Sequence, residues 1–328
     1  MKHRRRVSII SIAMAAAASA GLTFSVMATA QNFPAKPITI VVGSSPGSTT
    51  DGLARTIAQE VIGATKQPVI VENKPGGGGG IAAQFVARAA PDGYTVFMTT
   101  NTTQAANPFL YKKLTYHPVK DFTPVAALVK GYLLMVVNPS VKAKNVSEFI
   151  SMAKKEPGKY TFGSGSSSAR VAAELFQQMT GVSMTHVPYK ANPNAVVDLV
   201  SGQIDMMIVD LTTSLTHVRS GKLNALGVTS LQRSPLVPDL PTLNETGLPG
   251  YQISYWNGLY APANTPEAVV KRLNELMLKA MQSEAVKKFV YQNGMEVFTS
   301  SPDELKAFQA TELERWGTII KSAGIQPE

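Results

Sequence analysis

The chain has no cysteine among its 328 residues, so disulfides, thiol nucleophiles and thiolate metal sites are excluded together. Histidine is nearly as scarce. Beyond residue 30 there are only His117, His186 and His217, isolated from one another and without ligand spacing, so no metal centre is expected. A phosphate loop is missing too: Gly158-Lys159 and Gly221-Lys222 both lack the upstream glycine and the following hydroxyl residue. The run Gly76–Gly80 fits a dinucleotide fingerprint only in a relaxed register, through Gly77, Gly79 and Ala82. It follows a Lys-Pro break, and no acidic residue closes a strand beyond it. No cofactor is therefore expected. The formal net charge of +9 falls to +5 when Lys2, Arg4, Arg5 and Arg6 leave with the first thirty residues, nine minus four. The excess is scattered, with no basic run and no interleaved aromatics, which argues against nucleic acid.

Apolar stretches of spanning length are confined to the beginning of the chain. There Met1–Arg6 is basic, Val7–Val26 is apolar and Ala-rich, and Ala28-Thr29-Ala30 is a small-residue cleavage site. Small residues and a cleavage motif favour an export signal, removed after Ala30, over a membrane anchor.

What is present is organised around Ile38–Arg55. A β-branched run leads into a loop of Gly, Ser, Pro and Thr, and Asp51 is expected to cap the helix that follows. At a helix start the first backbone N–H groups lack partners and the dipole is positive, so the loop is a cradle for an anion. Ser164–Ser168 repeats the design, and two such loops could face one ligand.

The rest alternates strands and helices with short links, as a parallel α/β sheet does. In such sheets ligands lie at the carboxyl ends of the strands, which puts Ser44–Thr49 and Thr99–Thr103 on one rim. Val69–Glu72 is expected to be a short buried strand. Val125–Val129 and Leu133–Val137 read as two strands interrupted by Lys130-Gly131-Tyr132. A second α/β series follows, then a proline-rich Ser234–Gly250, a strand over Tyr251–Tyr260 and two long helices. The first helix starts at Thr265-Pro266, with Thr265 as the N-cap, and the second at Ser301-Pro302 with a Ser301/Glu304 capping box. Crossovers near Gly131 and Tyr251 divide the chain into residues 31–131 with 252–328, and 132–251, with a cleft between.

Eight ordered motifs resemble the tripartite tricarboxylate transporter solute receptors, the Bug proteins of the bacterial periplasm. They are Pro34-x-Lys36-Pro37-Ile38, Pro46-Gly47 with Asp51, Val71-Glu72-Asn73-Lys74-Pro75-Gly76 and Pro91-Asp92-Gly93-Tyr94-Thr95. Asn107-Pro108-x-Leu110-Tyr111, Asp121-Phe122-x-Pro124-Val125, His186-Val187-Pro188-Tyr189-Lys190 and Pro241-Thr242-x-x-Glu245-x-Gly247 continue the series. The resemblance implies an α/β, two-lobed periplasmic-binding-protein fold of type II-like character, with the ligand cleft between the lobes. It further implies capture of a small carboxylate and its delivery to cognate inner-membrane transporter subunits. In such receptors the first two loops hold one carboxylate through backbone N–H groups and water. A monomer is expected.

The candidate binding residues are Ser44, Ser45, Pro46, Gly47, Ser48, Thr49 and Asp51 in the first loop, and Thr100, Asn101, Thr102 and Thr103 in the second. Facing them stand Ser164, Gly165, Ser166, Ser167, Ser168 and Arg170, with Asp210 ending a strand at the same rim. Three departures from the family pattern bear on specificity. Small Gly43, Ser44 and Ser45 replace a bulky lead-in, with Ser48 in place of a second glycine. Thr102-Thr103-Gln104-Ala105 stands for Gly-Thr-His-Ala, and Arg170 replaces a histidine. Arg170 opposes the helix dipole, which a ligand carboxylate would compensate. The small residues leave room for an aromatic or long-chain dicarboxylate. The alternative is a secreted serine hydrolase using the Ser164–Ser168 loop, although G-x-S-x-G is absent and no histidine is positioned by sequence as its base.

Overall fold

The computed structural model describes residues 33–327, so the expected signal and its cleavage after Ala30 lie outside the described residues. The chain starts with β1 (Ile38–Val42), α1 (Thr49–Thr65), β2 (Val69–Asn73), α2 (Gly80–Ala87) and β3 (Thr95–Thr100). A π-helical turn, Thr102–Ala106, then runs into the short α3 (Asn107–Leu110). β4 (Phe122–Val137) opens the second series: α4 (Val146–Lys155), β5 (Thr161–Ser164), α5 (Ser167–Thr180), β6 (Thr185–Pro188), α6 (Asn192–Ser201), β7 (Met206–Asp210), α7 (Leu211–Arg219) and β8 (Asn224–Val228). β9 (Ser254–Pro262), α8 (Glu267–Met281), α9 (Glu284–Gln292), β10 (Met295–Val297) and α10 (Pro302–Ser322) complete it.

Among the described residues the strands form one sheet in the order β2-β1-β3-β9-β4-β7-β5-β6, with β8 and β10 also paired to β4. The sheet is mixed. Its flanks are parallel, as the alternation of elements predicts, but β9 runs antiparallel to both β3 and β4, and β4 antiparallel to β7. The strand expected to break at Lys130-Gly131-Tyr132 is continuous over 16 residues. Gly131 does not break it because the ring of Tyr255, its register partner on β9, occupies the place of a side chain: a Cβ on Gly131 would lie 2.3 Å from Tyr255 Cζ. β4 pairs with β9 and β10 up to Tyr132, and with β7 and β8 from Leu133 onward.

Three further expectations change. β2 is a sheet edge, with Ile70 53% exposed, rather than a buried strand. Thr265 turns its hydroxyl back to the Pro262 carbonyl at 2.8 Å, so it cannot cap α8, which starts behind Pro266 without a side-chain cap. The terminal segment holds α9 and β10 as well as the two long helices. Ser283 restarts the helix by accepting from Val286 N–H, and no proline or glycine marks that break. The Ser301/Glu304 box forms as expected, with both reciprocal hydrogen bonds. The core includes Phe97, Phe149, Phe162, Phe176, Trp256 and Tyr260, and a smaller apolar cluster lies around Leu134, Leu199 and Val209.

Candidate functional site

Two strand–loop–helix units, β1–α1 and β5–α5, carry most of the candidate residues, and their helix starts align position for position. In the first, Ser48 is the N-cap and its Oγ accepts from Asp51 N–H at 3.2 Å. In the second, Ser166 is the N-cap and accepts from Ala169 N–H at 3.2 Å. The expected cap Asp51 thus sits at the third helical position. From there it accepts from Gly47 N–H at 2.9 Å, from Asn73 Nδ2 at 2.9 Å and from Arg55 Nε at 3.1 Å. Burial acts to raise the Asp51 pKa, but hydrogen bonds from Arg55, Gly47 and Asn73 outweigh it and hold the carboxyl below its ordinary value.

Asn73 also donates to the Ser44 carbonyl at 3.1 Å, and the Ser44 and Ser48 hydroxyls meet at 3.1 Å. Ser45 supplies the carbonyl that receives Ser48 N–H, and Pro46 and Gly47 form the exposed tip. The amides of Thr49 and Thr50 at the first two helical positions have no acceptor among the described residues.

The β3 loop lies between the two units. Asn101 is fully buried and donates from Nδ2 to Ser168 Oγ at 3.0 Å, so these two candidates from distant parts of the sequence meet. Asn257 Nδ2 reaches Thr50 Oγ1 at 2.9 Å, tying β9 to the start of α1. Thr100 accepts from Thr102 N–H through its hydroxyl. Thr103 is buried, its hydroxyl shared between Thr99 Oγ1 and the Thr100 carbonyl and its own carbonyl accepting from Tyr116. Its side chain is packed inside the loop instead of lining its outer surface.

In the second unit the organising residue is Asn192, at the start of α6. Its Oδ1 accepts from Gly165 N–H at 3.0 Å, and its Nδ2 donates to Ser166 Oγ at 3.2 Å and to Asp210 Oδ2 at 2.9 Å. Asp210 is the N-cap of α7, accepting from Thr213 N–H at 3.1 Å. Gly165 must be glycine, since a Cβ would lie 2.0 Å from the Ala191 carbonyl carbon. The amides of Ser167 and Ser168 have no acceptor among the described residues.

Arg170 falls at the fourth helical position, just past the first turn, one turn before Glu174. Burial raises the Glu174 pKa, and the nearby Arg170 charge opposes that rise. Contrary to the sequence expectation, a histidine does reach the serine loop: His186 Nε2 lies 2.7 Å from Ser164 Oγ, its ring stacked on Phe162. The Ser164 hydroxyl belongs to a buried residue. Trp256 is fully buried in the packing, its Nε1 donating to buried Glu312 at 3.0 Å.

Sequence reasoning missed Asn73, Asn192 and His186 as site residues. The first and last stand inside motifs it had noted, Glu72-Asn73-Lys74 and His186-Val187-Pro188, whereas Asn192 carried no signal.

Residues 53–325 match the profile of the tripartite tricarboxylate transporter family receptor. Among similar solved structures, Rpa4515 of R. palustris with adipate shares 34% identity, covers 90% of this chain and 100% of its own, and superposes with a TM-score of 0.87. The periplasmic binding protein BugD shares 30% identity over the same 90% and 100%, with a TM-score of 0.84. MatC (Rpa3494) from Rhodopseudomonas palustris with bound malate shares 34% identity over 88% of this chain and 100% of its own, at a TM-score of 0.82. The architecture is therefore the α/β two-lobed fold of periplasmic binding proteins, and the chain belongs to the tripartite tricarboxylate transporter family of receptors, the Bug proteins.

Proposed function

We propose that this receptor takes up an extended dicarboxylate, with one carboxylate at each cradle, and hands it to the inner-membrane subunits of a tripartite transporter. The observation that carries the reading is the matched pair of serine-capped helix starts, each leaving two open amides, with the β3 loop bound to the second of them through the Asn101–Ser168 contact. Open amides at a positive helix end are suited to carboxylates. Two relatives with bound adipate and malate lend support, because both ligands are dicarboxylates. The ligand would lie in the cleft between lobes 31–131 with 252–328 and 132–251. The change of β4 partners at Tyr132/Leu133 supports that boundary. We place the mature protein in the periplasm as a monomer, after cleavage behind Ala30, binding no metal, cofactor or nucleic acid. It is a receptor and not an enzyme, so the part-buried Ser164–His186 contact belongs to the architecture of the second cradle.

A thermal-shift panel of acetate, succinate, malate, adipate, phthalate and benzoate tests this. A diacid at a hundred times its Kd adds about 2.7 kcal/mol, a rise of roughly 4 °C for a chain of this size. Adipate or phthalate should give the largest shift, and calorimetry after exhaustive chelation should leave it intact. Ser44→Phe fills the space beside the first cradle and should abolish the long diacid while retaining succinate. Shifts with monoacids alone, or only after metal is restored, would remove the reading.

A further inference from the structure

The run Gly76–Gly80 fails as a nucleotide loop, yet it is among the most unusual stretches of backbone in the molecule. Gly76, Gly77, Gly78 and Gly79 all have positive φ, at 122°, 55°, 57° and 83°. Four consecutive residues in conformations that L side chains rarely adopt require a reason, and the surroundings supply it. Gly79 is buried, and a Cβ there would lie 2.7 Å from Thr103 Cγ2, in the β3 loop. Gly43, the first residue after β1, also packs on it: a Cβ on Gly43 would lie 3.0 Å from the Gly79 Cα. One bare peptide thus touches both loops that flank the first cradle.

Gly78 extends the contact through hydrogen bonds. Its carbonyl accepts from Asn107 Nδ2 at 3.0 Å, the same amide donates to Tyr116 Oη at 2.9 Å, and Tyr116 donates to the Thr103 carbonyl at 2.9 Å. A Cβ on Gly78 would approach Tyr111 Oη at 3.0 Å and Asn107 Oδ1 at 3.3 Å. Gly43 is small for the same reason, because Gly79 packs on it; its smallness leaves no extra room for ligand.

We infer that Gly78 and Gly79 are positioning residues for ligand binding: they set the spacing between the Gly43–Thr49 loop and the Thr100–Thr103 loop without touching the ligand. The inference rests on the carboxylate reading above and deepens it. Gly77 provides an internal control, since it shares the left-handed conformation but a Cβ there would meet nothing within 4 Å.

The experiment measures calorimetric affinity for adipate and malate, together with Tm, in the full-length mature receptor carrying Gly77→Ala or Gly79→Ala. Both variants should lose thermal stability through the left-handed alanine. Only Gly79→Ala should lose affinity, by about tenfold or more, while Gly77→Ala stays within threefold of wild type. The Gly79→Ala loss should shrink when Thr103→Ser removes the methyl it strikes. Should Gly79→Ala not fold, Gly78→Ala takes its place with a smaller loss, about threefold to tenfold, transmitted through Asn107 and Tyr116. Equal affinity changes at 77 and 79, or none at 78 and 79, overturn the inference while leaving the carboxylate reading standing. A wild-type protein that binds neither acid overturns both.

Discussion

The two cradles share a design down to the residue. Ser48, Thr49, Thr50 and Asp51 occupy the same helical positions as Ser166, Ser167, Ser168 and Ala169, and both serines cap the third amide at the same distance of 3.2 Å. They differ at that third position. Asp51 puts a carboxylate into the first turn, holds its own loop through Gly47 N–H, and is neutralised by Arg55. Ala169 supplies nothing, so the second loop is held from outside by Asn192, and its helix start keeps its positive field with Arg170 one residue beyond. The first cradle carries its own carboxylate, balanced by Arg55 and bonded by Asn73 from β2. The second depends on a neighbouring loop and is open to an anion.

The largest effect expected from this difference concerns the two loop glycines. Gly47 has φ +79° with open space around it, whereas Gly165 is pressed against the backbone of Ala191 and Asn192. Gly47→Ala should cost about 1 kcal/mol, the strain of one left-handed alanine. Backbone cannot yield as a side chain can, so Gly165→Ala should cost about 3 kcal/mol, the upper part of the overpacking range. Urea denaturation of both variants measures this, and equal losses would contradict the view that only the second loop is pressed against neighbouring backbone.

Next in size is a change that erases the asymmetry. Ala169→Asp places in the second cradle the carboxylate that the first one has. The helix dipole favours the new carboxylate by about 0.3–1 kcal/mol, but Ala169 is fully buried and has no counterpart of Arg55 or Asn73 beside it, so the unpaired charge should lower Tm. A fixed negative charge beside the open amides of Ser167 and Ser168 should cost a diacid about 2 kcal/mol, near thirtyfold in Kd. Unchanged adipate affinity in calorimetry would show that no ligand carboxylate approaches this helix start.

How far the sequence carries one follows the range of each interaction. Local signals were legible: the β1–loop–α1 and β5–loop–α5 units and the Ser301/Glu304 box. Within Ser48-Thr49-Thr50-Asp51 all four residues are of capping type, and the expected cap Asp51 gives way to Ser48. The choice is made by Asn73, at the end of β2, which bonds Asp51 from across the sheet. Asn192 was invisible for the same reason, since its three bonds go to two other loops. Gly131 read as a breaker because the ring that replaces its side chain comes from β9, in register only once the sheet has formed.

Arg170 gives a smaller contrast between the units. Its charge opposes the rise that burial imposes on Glu174, so part of it is already committed before ligand arrives. Arg170→Ala should therefore weaken adipate by about tenfold, the low end for a charge-assisted contact, and change acetate less than twofold. Calorimetry with both acids decides it. Equal losses for the two would mean that Arg170 supports the fold of the cradle and does not answer the far carboxylate.

The smallest effect concerns the balanced cradle and is read against pH. The Asp51 pKa is lowered in the folded state, because the bonds from Arg55, Gly47 and Asn73 outweigh the upward push of burial. A carboxyl with a depressed folded pKa contributes stability above its unfolded value, about 3.9 for Asp, and that contribution is lost as pH falls through the folded value. Asp51→Asn removes the charge and turns an amide donor toward the donors of Asn73 and Arg55, so at pH 7 the variant should be less stable by about 1 kcal/mol. As pH falls below about 3.9 the wild type loses its Asp51 contribution and the variant does not, so the two unfolding curves should converge. Ala169, at the equivalent position, has nothing to titrate, and Ala169→Asn should leave the pH profile parallel to wild type. Urea denaturation from pH 7 to pH 3 tests both. A constant gap between Asp51→Asn and wild type down to pH 3 would mean that the Asp51 charge does not stabilise the first cradle, and that its hydrogen-bond geometry alone holds the loop.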